Sequence, residues 1–334
     1  MTVLITGGTG LIGAALAEKL VARGDRAVLF DVAPATWRVR PLTTRAGDRL
    51  AIVRGDVTSL VDLLDAVRDH GVTAIVHLAY VLGAESNEDP ELAARVNILG
   101  TTNVLEAARL GGVGRVLLAS SIAVYGPDEW YPAAELPLGE DAPLRVAPGV
   151  PIYGAGKVYL EHLGAHYAAR YGLVVAGLRP SIVYGWGRRR GASAFTGELV
   201  DRVAAGEPVT VGFGDARVSL VYVDDVAAQF LALLDADPAR FERRRFFNTG
   251  GDTVTVRELV DVVRRLVPEA RIDVRASGER DVAGLAASVS DRALVETLGV
   301  RRAFTPIEVG VRAHLAVARA RAGWERGEGG PGAA

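Results

Sequence analysis

Thr6-Gly7-Gly8-Thr9-Gly10-Leu11-Ile12-Gly13 closes one apolar run, Val3–Thr6, and opens an amphipathic stretch, Leu11–Arg23. A strand that ends in a glycine turn and restarts as a helix is the entry of a nucleotide-binding α/β unit. Gly7 allows the tight turn, Gly10 lets a pyrophosphate approach the backbone, and Gly13 lets the helix pack closely. Leu11 and Ile12 lie in the first helical turn, whose free N–H groups and positive dipole end favour phosphate. A glycine triplet alone also fits a generic turn; the strand before it and the helix after it select the dinucleotide reading.

Outward from this loop the pattern repeats. Short apolar runs at Ala27–Asp31, Ala51–Val53, Ala74–Leu78 and Val116–Ser120 alternate with helix-like stretches at Leu60–Asp69 and Glu91–Arg109. Such alternation predicts a parallel sheet wrapped on both faces. Helix-like Gly156–Arg170 and the run Leu173–Arg179 extend it. Beyond Arg179 the elements shorten: Pro208–Val211, Ser219–Val223, a helix Asp224–Leu234, Phe246–Asn248, a helix Val256–Val267 and Ile272–Val274. The expected fold class is α/β, a Rossmann-like doubly wound parallel sheet with a smaller C-terminal α/β substrate lobe. The expected division is a dinucleotide-binding domain over 1–180, with the chain returning around 215–250, a substrate lobe over 181–322, and a disordered tail over 323–334.

Asp31 closes the second apolar run, eighteen positions after Gly13. A carboxylate there accepts hydrogen bonds from adenosine ribose hydroxyls and repels a 2′-phosphate, which favours NAD over NADP. The competing reading is a loop cap, with Arg38 reaching the same region.

Composition removes several classes of function. The 334 residues carry a formal net charge of −2 and no cysteine. Disulfides, thiolate catalysis and cysteine-held zinc are excluded, and nothing calls for nucleic acid or an anionic membrane as partner. Five scattered histidines include His162 and His166, four apart, but without a carboxylate partner they predict no metal site. The glycine loop follows Met1 too closely for a signal peptide, and no apolar stretch is long enough to span a bilayer, so a cytoplasmic protein is expected. Lys19 and Lys157 are the only lysines; arginine carries the other positive charges, a skew that points to a GC-rich bacterial genome.

Lys157 closes Tyr153-Gly154-Ala155-Gly156-Lys157 at the start of a predicted helix. Tyrosine and lysine four apart share one helical face. An ammonium beside a phenol favours the phenolate, so the Tyr153 pKa is expected to fall toward neutrality and make Tyr153 a base for a substrate hydroxyl. Ser120 and Ser121 follow a strand's C-terminal end, where parallel sheets collect ligands. Ser121 is placed to bind the substrate oxygen. A chance YxxxK on a surface helix is the competing reading; its order after the glycine loop and a Ser-Ser strand end argues against it.

With these motifs the chain resembles the extended short-chain dehydrogenase/reductase family, also called the NAD-dependent epimerase/dehydratase family. Gly55-Asp56-Val57, His77-Leu78-Ala79, Asn97 with Gly100-Thr101, Leu178–Gly185 and Val221–Ala227 carry the likeness further, over roughly residues 1–320. The resemblance implies a catalytic set of Ser121, Tyr153 and Lys157. It places Asp56 and Val57 beside the adenine, and Leu78 and Ala79 along the pyrophosphate and ribose. It adds Asn97 and Ser120 to the cofactor site, sets Lys157 on the nicotinamide ribose, and puts Pro180 and Val183 near the nicotinamide. It also implies a homodimer through a four-helix bundle formed from Glu91–Arg109 and Gly156–Arg170.

Departures from the family pattern bear on the substrate. Dehydratases carry an acidic pair where this chain has Ile122 and Ala123. Nucleotide-sugar members usually have asparagine at the position of Ile182 and arginine at that of Val218, where Arg217 is one step away. A second diphosphate arginine has its nearest match at Gly278, with Arg280 displaced by two. The first reading is therefore an NAD-dependent dehydrogenase for a secondary alcohol of a sugar, sugar acid or similar small polar substrate. The second is a nucleotide-sugar epimerase with tightly held NAD, in which Arg188-Arg189-Arg190 would supply phosphate contacts; the preferred reading of that arginine run is a solvated loop. A dinucleotide-sensing regulator without chemistry is the third, disfavoured because Tyr153 and Lys157 are both present.

Overall fold

The computed structural model describes residues 1–147, 151–191, 193–276, 285–299 and 304–322. The expected tail over 323–334, and Gly278 and Arg280, lie outside these described residues.

The first half builds β1 (Thr2–Thr6), α1 (Leu11–Arg23), β2 (Arg26–Asp31), α2 (Thr36–Ala46), β3 (Leu50–Arg54), α3 (Leu60–His70) and β4 (Ala74–His77). After α4 (Gly83–Glu88), α5 (Pro90–Ala93) and α6 (Gly100–Leu110) come β5 (Arg115–Ala119), α7 (Ile152–Tyr171) and β6 (Val174–Arg179). These strands and β10 (Phe246–Asn248) form one seven-stranded sheet in the order β3-β2-β1-β4-β5-β6-β10, with every pair parallel. Alternate residues of each strand feed opposite faces. Val3 and Ile5 join the core with α1, α2 and the later helix Val223–Asp235; Leu4 joins the core with α3, α6 and α7. Both faces are covered, which is why the strand runs read as nearly continuous apolar residues.

The order reverses direction between β1 and β4. Past their C-terminal ends the chain runs to opposite faces of the sheet, α1 on one and α6 on the other, and such a switch point is where these sheets bind ligands. The remainder supplies β7 (Ile182–Tyr184), α8 (Ala194–Ala204), β8 (Val209–Val211), β9 (Arg217–Tyr222), α9 (Val223–Asp235), β11 (Asp252–Thr255), α10 (Val256–Leu266), β12 (Ile272–Val274), α11 (Arg292–Leu298) and α12 (Ile307–Ala320). A three-stranded sheet, β11-β9-β7, and a two-stranded sheet, β12-β8, stand apart from the main one. α9 packs on α1 and β10 pairs with β6, so the chain returns to the first sheet after Arg179.

Two departures from the sequence reading concern helices. The expected helix Glu91–Arg109 contains a π-helical segment, Ala94–Leu99, between α5 and α6. Helices α2, α8 and α12 were not expected. In α2 only Val39, Leu42 and Ala46 turn inward and Pro41 interrupts the pattern, so its amphipathic signal is weak.

Candidate active site

The glycine loop brings two strand ends almost into contact. Gly7 has φ +64°, and a Cβ on it would meet the Ala79 backbone nitrogen at 2.9 Å. A Cβ on Gly13 would lie 2.6 Å from the Gly8 carbonyl oxygen, so Gly13 seats α1 on the loop. Close packing on the sheet, expected of Gly13, falls instead to Gly8, whose Cβ would meet Ile5 O at 2.6 Å and Leu29 Cα at 2.7 Å. Gly10 is the N-cap of α1 and provides no side-chain cap, and the first turn of Leu11, Ile12 and Gly13 holds no acid. An uncapped, acid-free helix start beside a side-chain-free backbone suits a dinucleotide pyrophosphate.

Asp31 ends β2 and faces this loop. Its Oδ2 accepts from Thr9 N at 3.2 Å and Thr9 Oγ1 at 2.6 Å, and its Oδ1 accepts from Ala33 N at 3.2 Å. Arg38 donates to Thr9 O at 3.0 Å and to Gly187 O at 2.5 Å. The two groups weighed for the ribose therefore meet at Thr9. Asp56 accepts from Thr58 N at 2.8 Å, and Val57 O accepts from Asn103 Nδ2 at 3.0 Å.

A buried relay fixes the β4 end. Thr6 Oγ1 lies 2.7 Å from His77 Nδ1, His77 Nε2 lies 3.1 Å from Thr101 Oγ1, and Thr101 Oγ1 donates to Asn97 O at 2.7 Å. Because Thr101 donates onward, the chain is satisfied when His77 carries its proton on Nε2 and Thr6 donates to Nδ1. Burial, aided by the Lys157 charge, holds the His77 pKa down to about 3, so it is neutral. Leu78 N and Ala79 N both donate to Thr6 Oγ1, at 3.2 and 3.3 Å. Asn97 sits in the π-helical segment and engages both its amide atoms with Val81, at 2.7 and 3.1 Å. It therefore acts on the Leu78–Val81 segment through the backbone.

Ser121, Tyr153 and Lys157 converge where β5 meets α7. Ser121 follows β5 and its Oγ accepts from Ala123 N at 3.1 Å. Tyr153 lies in the first turn of α7, with the Ser121 side chain near enough to favour its ionised form. Lys157, one turn on, donates from Nζ to Ala119 O at 2.6 Å. That Nζ is 3.2 Å from the centroid of the Tyr80 ring and 5.3 Å from that of Tyr153. Tyr80 stands edge-on to Tyr153, with centroids 5.4 Å apart. Sequence reasoning missed Tyr80, although an aromatic just after His77-Leu78-Ala79 in a chain with two lysines was the available signal. The glycines of YGAGK have steric reasons: a Cβ on Gly154 would meet Ala123 O at 2.6 Å, and one on Gly156 would meet the Tyr80 hydroxyl at 2.7 Å.

This geometry corrects one expectation. The Tyr153 pKa is raised, not lowered: burial pushes the phenol up, and the neighbouring Ser121 side chain and the Arg188 charge only partly offset it. Lys157 does not acidify it, because its ammonium turns to Ala119 and Tyr80. Burial also holds the Lys157 pKa well below the usual lysine range, with Glu161 pulling the other way.

Behind the site lies a network that the sequence did not announce. Glu161, one turn past Lys157, accepts from Ser120 Oγ at 2.5 Å and from Arg179 Nε and Nη2 at 2.8 and 2.7 Å. Arg179 also donates to the Tyr125 hydroxyl at 2.6 Å, and Tyr125 donates to Asn248 Oδ1 at 3.0 Å. Both charged side chains are 7% exposed. Ser120 is thus turned toward Glu161.

One cavity of about 810 Å³ joins Ile12, Leu78, Ser120, Ser121, Tyr153 and Lys157, and its far wall includes Pro180, Val183 and Arg188. Asp31, Asp56, Val57 and Asn97 lie outside it, along the sheet edge and behind the β4 loop. The arginine run divides. Arg190 is 73% exposed and pairs with Glu85, and Arg189 is 43% exposed near Asp201, as a solvated loop requires. Arg188 departs from that reading: it lines the cavity and donates to Ser193 Oγ at 2.5 Å. Arg217 is exposed on β9 and Val218 is in the core, so neither faces the cavity. Among the described residues no cluster of His, Asp or Glu is arranged to hold a metal ion, and no helix is long and apolar enough to cross a membrane.

A model of the NAD dependent epimerase/dehydratase family matches residues 3–250. The chain belongs to this family. Relatives lie on both sides of the question of net reaction. The 2-alkyl-3-oxoalkanoate reductase of Stenotrophomonas maltophilia is 32% identical over 82% of this chain and 78% of its own. The UDP-glucose 4-epimerase of Mycolicibacterium smegmatis is 32% identical over 78% of this chain and 80% of its own. The structure of the Thermus thermophilus UDP-glucose 4-epimerase in complex with NAD superposes with a TM-score of 0.80 at 30% identity, over 96% of this chain and 99% of that one. The chain is accordingly an NAD-dependent enzyme of the extended short-chain type, an epimerase or dehydrogenase.

Proposed function

We propose that this protein is an NAD-dependent dehydrogenase or reductase acting on a secondary alcohol carbon of a small polar substrate. The observation that carries the proposal is the single cavity in which Tyr153, its Ser121 partner and Lys157 share space with the β4 and β6 ends, while Arg217 and Val218 face elsewhere. Gly7, Gly10, Gly13 and the open start of α1 hold the pyrophosphate, and Asp31 selects NAD. NAD, when bound, supplies the hydride acceptor. Ser121 holds the substrate hydroxyl, Tyr153 removes its proton, and Lys157 places a positive charge under the site. Residues 1–180 carry the dinucleotide and 181–322 shape the substrate pocket, in a cytoplasmic protein. Exposed Leu99 and Tyr159, on the two segments expected at a four-helix bundle, support a homodimer.

A nucleotide-sugar epimerase is the second reading, favoured by the epimerase relatives. Mixing the purified protein with NAD and a panel of sugars, sugar acids, hydroxy acids and nucleotide sugars separates the two. A dehydrogenase forms NADH in step with product from a member of the panel. An epimerase converts a nucleotide sugar with no net NADH, and that result would displace the proposal.

A further inference from the structure

We infer that Arg188 is the anion receptor of the substrate pocket, and that the substrate carries a carboxylate close to its reacting hydroxyl. This rests on the reading of the cavity as a hydride-transfer site and names the class of substrate it takes.

Arg188 lines the cavity that contains Tyr153, and it is near enough for its charge to act on the phenol. One end of its guanidinium donates to Ser193 Oγ at 2.5 Å. Its Nε is shielded from solvent and has no hydrogen-bond partner. Among the described residues no carboxylate pairs with it. The acids nearby are already held: Glu85, at the cavity wall, is gripped by Arg190 at 2.8 and 2.9 Å, and Glu161, behind the floor, by Arg179. Among the described residues the cavity therefore has two cations, Lys157 and Arg188, and no free anion. The Arg188 backbone is also fixed, because α8 presses on it so tightly that a Cβ on Gly197 would lie 2.4 Å from Arg188 O.

A desolvated cation with no counter-charge is unfavourable unless a ligand brings the anion. A guanidinium fork matches the two oxygens of one carboxylate. Its position by Tyr153 places that carboxylate near the oxidised carbon. The diphosphate of a nucleotide sugar would lie beyond the sugar ring, and Arg217 is not aimed to share it.

The test uses matched pairs: 3-hydroxybutyrate and D-galacturonate, each beside its methyl ester, within a wider panel of hydroxy acids and sugar acids. Binding is read by thermal shift on the full chain with NAD present, in a Tyr153→Phe background that does not turn over. Carboxylates are expected to bind roughly ten- to a hundredfold more tightly than their esters. Arg188→Gln should erase that preference, and Arg188→Lys should keep part of it. Equal binding of acid and ester, a preference that survives Arg188→Gln, or no binding by any carboxylate in the panel would overturn the inference. Binding of UDP that depends on Arg188, without carboxylate preference, would also overturn it and assign the arginine to phosphate. A carboxylate held through Arg188 that, given to the enzyme with Tyr153 intact, yields neither NADH nor an epimer would leave the receptor standing and reject the hydride-transfer reading alone.

Discussion

Replacing Glu161 by glutamine removes one charge and leaves the side chain's shape. In the native protein its carboxylate accepts three hydrogen bonds, two from Arg179 and one from Ser120. Both charged partners are buried, so water does not replace what is lost. Breaking one side of a buried ion pair costs about 3–5 kcal/mol. Glutamine keeps one acceptor oxygen but turns its NH2 toward donors, so a loss of about 3 kcal/mol is expected. Urea unfolding followed by circular dichroism measures it. A cycle with Arg179→Met and the double variant isolates the pair, and the double variant should recover much of the loss. A second readout separates positioning from stability. Glu161 supports the charged form of Lys157, whose pKa burial already lowers. Without that anion the Lys157 pKa falls further, and its charge is lost at a lower pH as the pH rises. The alkaline limb of kcat should then move toward neutrality. A loss of less than about 1 kcal/mol together with an unmoved limb would refute the view that this network supports the catalytic lysine.

Other consequences are as direct. Asp31→Ala should shift the ratio of kcat/KM for NAD over NADP toward NADP, and a ratio that does not move means that Asp31 serves only to hold Thr9. Gly13→Val drives carbon into the Gly8 carbonyl and should abolish the thermal stabilisation that NAD confers; retained stabilisation would show that the loop does not carry the cofactor. Because burial raises the Tyr153 pKa above its ordinary value of 10.0, the base form is the minor one at neutral pH. Substrate oxidation should therefore rise about tenfold per pH unit between roughly pH 7 and 9. A flat profile on the neutral side of the alkaline limb set by Lys157 would mean that another group takes the proton.

The sheet was legible in the sequence because buried parallel strands and two-faced helices leave strong patterns. Leu11–Arg23 and Phe246–Asn248 fall where their residues place them. Helix α2 was hidden by Pro41 and a weak apolar face. Within the site, Ser121, Tyr153 and Lys157 were readable because chemistry dictates their types and spacing. Tyr80, Glu161 and Arg179 were not, since what unites them is packing across elements distant in the chain. The direction of the Tyr153 shift was misjudged for the same reason: spacing places lysine beside tyrosine, but only the fold shows its ammonium turned to Ala119. Arg188 and Arg190 look alike in a run of three arginines, and only burial tells them apart.

The central claim is that one phenol accepts the substrate's proton while a bound dinucleotide takes the hydride, and Tyr153→Phe tests it most directly. With a substrate found by NADH release, this variant should lose at least about a hundredfold in kcat while native mass spectrometry shows NAD retained. Near-normal turnover by the phenylalanine enzyme would contradict the account.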